Sequence, residues 1–149
     1  MSDLQMLLDE RAIVQGLGLF ARMIDDKRWA DASEIFAEDV SFDYGLGGEQ
    51  QGLNTLRQWM SSFLDTCGNT QHLIGSILVN VDGDNAVSRS YVMARHQRPD
   101  DPQGPVQDSN GEYIDRWERH VEGWRIVRRD AVWAMRVGEA EILGRDLKD

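Results

Sequence analysis

The chain has 149 residues, 41% of them hydrophobic and 28% charged, which is enough for one domain, residues 1–149, with a continuous core. Its formal net charge of −10 argues against a nucleic-acid partner, whose phosphates need a basic face, and against an anionic membrane surface. Cys67 is the single cysteine, so no intrachain disulfide forms and a reducing cytoplasm fits; no signal-peptide pattern and no transmembrane run is present.

Across residues 4–24 apolar side chains recur at helical spacing, and this predicts a long amphipathic helix capped by Ser2 or Asp3. A second, short helix is expected over 29–36. Residues 40–44 alternate, so they read as a strand with Tyr44 on the same inward face as Val40 and Phe42. Four glycines mark 45–52 as a loop, and 53–64 carries a third helical stripe. Four strands follow, over 72–81, 86–96, 112–120 and 124–133, with turns at 82–85 and 121–123. Pro99, Pro102 and Pro105 make 99–110 a longer loop. The tail, 138–149, reads as a short helix that either closes a cavity or frays. Helices followed by a strand meander give an α+β fold. The expected architecture is three N-terminal helices packed on a strongly curved, mostly antiparallel sheet, forming a cone with an internal cavity.

Three motifs place titratable residues on apolar segments: Ile24-Asp25-Asp26-Lys27-Arg28-Trp29, Thr70-Gln71-His72-Leu73-Ile74-Gly75, and Ala94-Arg95-His96-Gln97-Arg98. Taken alone, Asp25 is a carboxylate in a helix-ending turn and His72 a core histidine. Taken together, Asp25 can orient the His72 imidazole as a general base. Counting outward from the turn at 82–85 puts His96 opposite His72 within a residue or two. Tyr44 can orient a carbonyl or a water. Strand alternation turns Arg129 inward on the face of Val127, Ala131 and Trp133, where it meets either a substrate anion or a structural carboxylate. The five tryptophans suit a core, and any pocket they line suits an aromatic ligand. Neither zinc spacing, nor a phosphate loop, nor a Gly-x-Ser-x-Gly elbow is present.

The element order resembles the cone fold shared by nuclear transport factor, ketosteroid isomerase and SnoaL-like proteins. Within it the quoted motifs, with Phe42-Asp43-Tyr44, resemble the scytalone dehydratase group over roughly residues 5–135. The resemblance implies an Asp25–His72 dyad, His96 as a second histidine and Tyr44 as an orienting tyrosine. It also implies Arg129 in the position of the arginine of hexachlorocyclohexane dehydrochlorinase. Ile24 stands where scytalone dehydratase has a tyrosine, and Gly111 and Tyr113 fall near its substrate-gripping Ser and Asn. Ile24, Tyr113, Arg129 and Trp133 are therefore the expected substrate contacts, with a substrate other than scytalone. No metal or organic cofactor is implied, and a homo-oligomer, by resemblance a trimer, is expected. The expected activity is a cofactor-independent lyase that eliminates water, HCl or formaldehyde from a hydrophobic, aromatic small molecule. The alternatives are a non-catalytic binding domain, such as a dioxygenase small subunit, or a ketosteroid-type isomerase.

Overall fold

The computed structural model describes residues 2–147. Helix α1 spans Asp3–Asp25, and its first turn is capped by the Ser2 hydroxyl, which accepts the Gln5 amide at 3.1 Å. Ile13, Leu17, Phe20 and Ile24 recur every three to four residues and are all buried. The helix ends in a left-handed residue, Lys27 at φ 55°, and the Arg28 amide reaches back to the Met23 carbonyl at 2.9 Å. That closing turn leaves Asp25 as the last helical residue, pointing its side chain at the sheet.

The short second helix is a 3-10 helix over Trp29–Glu34 rather than an α-helix ending at Phe36. Strand β1 starts earlier than alternation suggests and covers Phe36–Asp43. Its register against β6 shifts between Phe36 and Ser41, so inward and outward residues do not alternate cleanly there. The glycine segment holds a two-residue strand, β2 (Gln50–Gln51), before α2 (Leu53–Leu64). Then come β3 (Thr70–Asp82), β4 (Asn85–Arg98), β5 (Asp101–His120) and β6 (Gly123–Gly138). The sheet order is β2-β1-β6-β5-β4-β3, antiparallel except for the β1–β6 pair. The α+β reading stands: α1, the 3-10 helix and α2 cover one face of a single open sheet whose inner residues form the core.

The proline segment corrects the expected loop at 99–110. Residues 106–110 are strand, paired with β4 on one side (Gln107 opposite His96, Asn110 opposite Met93) and largely with β6 on the other. Arg98 pairs with Asp101, and the ladder resumes only at Gln97–Val106, so all three prolines lie in the turn or in the bulged stretch where no ladder amide is needed. The last strand also runs past Trp133 to Gly138. A bulge between Ile126 and Arg128 puts Ile126, not Val127, on the buried face, while Arg129 and Ala131 stay inward as alternation requires.

Candidate active site

A cavity lies between the inner sheet face and the helices. It measures about 80 Å³ to the centres of water-sized spheres. Its wall includes Ile24 from α1, Tyr44 after β1, Trp59, Met60 and Phe63 from α2, and His72, Ala94, His96, Ser109, Tyr113, Trp133 and Arg136 from β3 to β6. Expected contacts Ile24, Tyr113 and Trp133 all line it, with Trp133 fixed by its indole N–H donating to the Tyr44 carbonyl at 3.0 Å.

The Asp25 carboxylate is bound by β3 at three points. His72 Nδ1 lies 2.7 Å from Oδ1, the His72 amide donates to Oδ2 at 3.0 Å, and the Thr70 hydroxyl donates to Oδ1 at 2.9 Å. A carboxylate accepts, so Nδ1 of His72 carries a proton, and in the neutral ring Nε2 is then the acceptor. Thr70, which is not among the expected site residues, lies two residues before His72 on one strand, and period-two alternation puts both on the same face, toward Asp25.

His96 pairs in register with Thr70, and His72 with Ala94, so the two histidines are diagonal neighbours on the inner face. Their ring centroids are 5.7 Å apart in an edge-on arrangement. Nδ1 of His96 lies 2.9 Å from the Gln107 carbonyl, which can only accept, so the second histidine also has Nε2 unprotonated. Burial holds the His96 pKa below its ordinary 6.5, and the neighbouring His72 adds to this. Strand pairing at 106–110, read from the sequence as loop, is what supplies that carbonyl.

Tyr44 and Tyr113 form the opposite wall, with ring centroids 6.2 Å apart. Burial pushes both phenols well above their usual range, so both remain hydrogen-bond donors. The Tyr44 hydroxyl is buried close to the Arg129 guanidinium, and it makes no hydrogen bond of good geometry among the described residues.

Arg129 takes the structural option of its two expected surroundings. It is fully buried, is absent from the cavity wall, and makes a two-pronged ion pair with Asp115 at 2.7 and 2.8 Å. Its guanidinium carbon stacks 3.9 Å from the Tyr113 ring centroid and 4.1 Å from that of Phe20. Burial disfavours the cation, but the Asp115 charge outweighs it and raises the Arg129 pKa; the same burial pushes the Asp115 carboxyl up against the pull of Arg129. The forked geometry is that of an ionised pair. Arg129 therefore stands behind the tyrosines rather than beside a ligand. Gly111 is also not a ligand contact: a Cβ there would lie 2.3 Å from the Val132 carbonyl, so glycine permits the close approach of β5 and β6.

Helix α2 and the tail complete the wall. After a 3-10 turn at Ala140–Ile142, Ile142 and Leu143 are buried, and Leu143 and Leu147 line the cavity. The Gly144 amide donates to the Phe63 carbonyl at 2.9 Å, tying the tail to α2. His120, 3.6 Å from Glu118 at the far end of β5, takes no part.

Residues 5–130 match the SnoaL-like domain family. The uncharacterized protein Rv2910c of Mycobacterium tuberculosis (strain ATCC 25618 / H37Rv) is 34% identical over 122 residues, which is 81% of this chain and 82% of that one. Among solved structures, the hexachlorocyclohexane dehydrochlorinase LinA-type3 from Novosphingobium barchaimii LL02 superposes with a TM-score of 0.79 at 14% identity, covering 93% of this chain and 95% of that one. A protein described as a candidate scytalone dehydratase from Novosphingobium aromaticivorans DSM 12444 gives 0.76 at 21% identity, covering 88% and 87%. At these identities the two structures are evidence for the fold, a cone of the nuclear-transport-factor type. With the family match over most of its length, the chain belongs to the SnoaL-like domain family.

Proposed function

We propose that this protein is a cofactor-independent lyase acting on a small, hydrophobic, aromatic molecule that carries a hydroxyl or other leaving group. The supporting observation is the 2.7 Å contact between Asp25 and His72 at the wall of a largely apolar cavity, with a second imidazole beside it. Nε2 of His72 removes a proton from the carbon next to the leaving group. The electron pair forms the new double bond as the carbon–oxygen bond breaks, and the resulting imidazolium returns its proton to the departing hydroxyl, which leaves as water. Asp25 holds the ring in the required tautomer and stabilises its cation, a role typically worth about 10²–10⁴-fold in rate. His96, neutral and with an acceptor nitrogen free, orients the leaving hydroxyl rather than protonating it. Tyr44 and Tyr113 donate toward a carbonyl that gathers negative charge. With chloride as the leaving group the same step releases HCl; for loss of formaldehyde Nε2 takes the proton of a hydroxymethyl group, the carbon–carbon bond breaks, and the imidazolium returns the proton to the carbon left behind.

The second reading is a binding domain without chemistry, and the buried, closely bonded dyad disfavours it. A screen of racemic aryl alcohols and halides, following water, halide and formaldehyde separately, identifies the substrate. His72→Ala should then lower turnover by about 10²-fold or more while circular dichroism stays unchanged. Undiminished turnover in that variant would end the catalytic reading.

The proposal extends to self-association. The outer sheet face carries exposed Leu73, Tyr91, Met93, Val132 and Met135 in adjacent register rows, and a second copy of the chain is the occupant that fits. The charges on that face pair among themselves, Arg89 with Glu112 and Arg95 with Asp108, so two copies meet there without the repulsion expected from a net charge of −10.

A further inference from the structure

The chain has 26 acidic and 16 basic residues, yet among the described residues no carboxylate lines the cavity, and the one permanently charged residue on its wall is a cation, Arg136. Acidic residues adjacent to it are already engaged. Asp108, opposite Val137 in the β5–β6 register, is held by Arg95 at 2.8 Å, and Glu139 is held by Arg98 at 2.6 Å. Arg136 itself makes no ion pair or hydrogen bond among the described residues; its guanidinium carbon rests 5.9 Å from the Trp133 ring centroid, on the cavity wall. A second exposed arginine, Arg145 of the tail, stacks 4.5 Å from the centroid of Trp59, another wall residue.

His72 stands in the same cross-strand row as Arg136, through Ala94 and Ser109, but three strands away, and the histidine end of the cavity presents different groups. Arg129, the one buried cation near it, is neutralised by Asp115 and screened by Tyr113. His72 and His96 turn their Nε2 atoms to this end, acceptors in the neutral rings, and Tyr44 and Tyr113 add two phenol donors to the wall. A ligand hydroxyl fits that end, and a ligand anion does not, because Asp25 stands directly behind His72. The space suits one or two rings. At about 10–15 Å³ of sphere-centre volume per water, 80 Å³ corresponds to roughly five to eight waters, each of about 30 Å³ in the liquid.

From this polarity we infer the substrate class: an amphipathic carboxylate, with a flat one- or two-ring body, a hydroxyl at the histidine end and its carboxylate at Arg136. In a protein of net charge −10 the long-range field repels such a ligand, so an unpaired arginine at the wall is the feature that makes it bind. This inference rests on the cavity being the substrate site, but it concerns recognition and not the proton-transfer step.

The test compares 6-hydroxy-2-naphthoic acid with its uncharged methyl ester by titration calorimetry on the full chain near neutral pH. The acid is expected to bind about fivefold tighter or better, with a preference that shrinks as salt is added. Arg136→Gln should remove the preference and leave ester affinity unchanged. His72→Ala should keep it, which separates the anion site from the catalytic reading, since that reading is judged on turnover alone. Equal affinities, failure of both compounds to bind, or a preference that survives Arg136→Gln would each overturn the inference. Loss of the preference in Arg145→Gln but not in Arg136→Gln would overturn the assignment to Arg136.

Discussion

Asp25 sits where helix electrostatics disfavour it: a carboxylate in the last turn faces the negative end of the helix dipole, a cost of about 0.3–1 kcal/mol. The donors from Thr70 and His72 offset that cost, and such a local conflict is what the proposed dyad predicts for its carboxylate. Asp115 and Arg129 pose the reverse case, a pair kept inside the protein. Asp115→Asn leaves a buried guanidinium uncompensated, and urea denaturation should show a loss of about 3–5 kcal/mol. Adding Arg129→Met in the same chain should recover much of it; if it does not, the loss comes from packing and not from charge. His96 gives the pH dependence. Its folded pKa is lower than the ordinary 6.5 of the unfolded chain, so between the two values the unfolded chain binds more protons. Stability should therefore be full above about pH 6.5 and fall as pH drops through the lower folded value. The urea midpoint of His96→Asn should lose less between pH 7 and pH 5 than that of the parent. The sequence showed the inward turn of Arg129 and the closeness of His72 to His96, because both follow from alternation and turn position. The Arg129 partner was not legible, because the register that sets Asp115 opposite Arg129 depends on the bulge in the β5–β6 ladder between Arg116 and Trp117.

At the scale of elements, α1, α2 and β4 were readable because each buries a single face with an unbroken period. Reading failed where period or composition misleads. Phe36 and Ala37 are both buried although adjacent, so the start of β1 resembles the end of a helix. Three prolines concealed a strand whose continuous pairing begins only after the last of them, beyond the isolated Arg98–Asp101 pair. The tail was ambiguous from composition, since residues 138–149 carry few apolar side chains; Ile142, Leu143 and Leu147 nonetheless pack on the cavity side. A chain ending at Gly138 should bind the hydroxynaphthoate probe about tenfold more weakly, and Leu147→Ser should do so to a smaller extent without disturbing the circular dichroism spectrum. Unchanged affinity in both would reduce the tail to a packing element.

For the molecule as a whole, helices cover the inner sheet face while much of the outer face remains apolar and exposed. Met93 lies at the centre of that face, flanked in register by Leu73 on β3 and Asn110 on β5. Met93→Glu should therefore shift sedimentation equilibrium toward the monomer, and a parent protein that sediments as a monomer would refute the pairing proposed for this face. The clasp between Asp25 and β3 has a further consequence. The His72 amide proton is bonded to a side chain on α1 and not to a neighbouring strand, so it can exchange with solvent deuterium only when helix and sheet part. Its exchange rate thus reports the opening of the dyad itself. A slow rate, close to that of the core strands, would mean that the imidazole stays aligned for as long as the protein is folded.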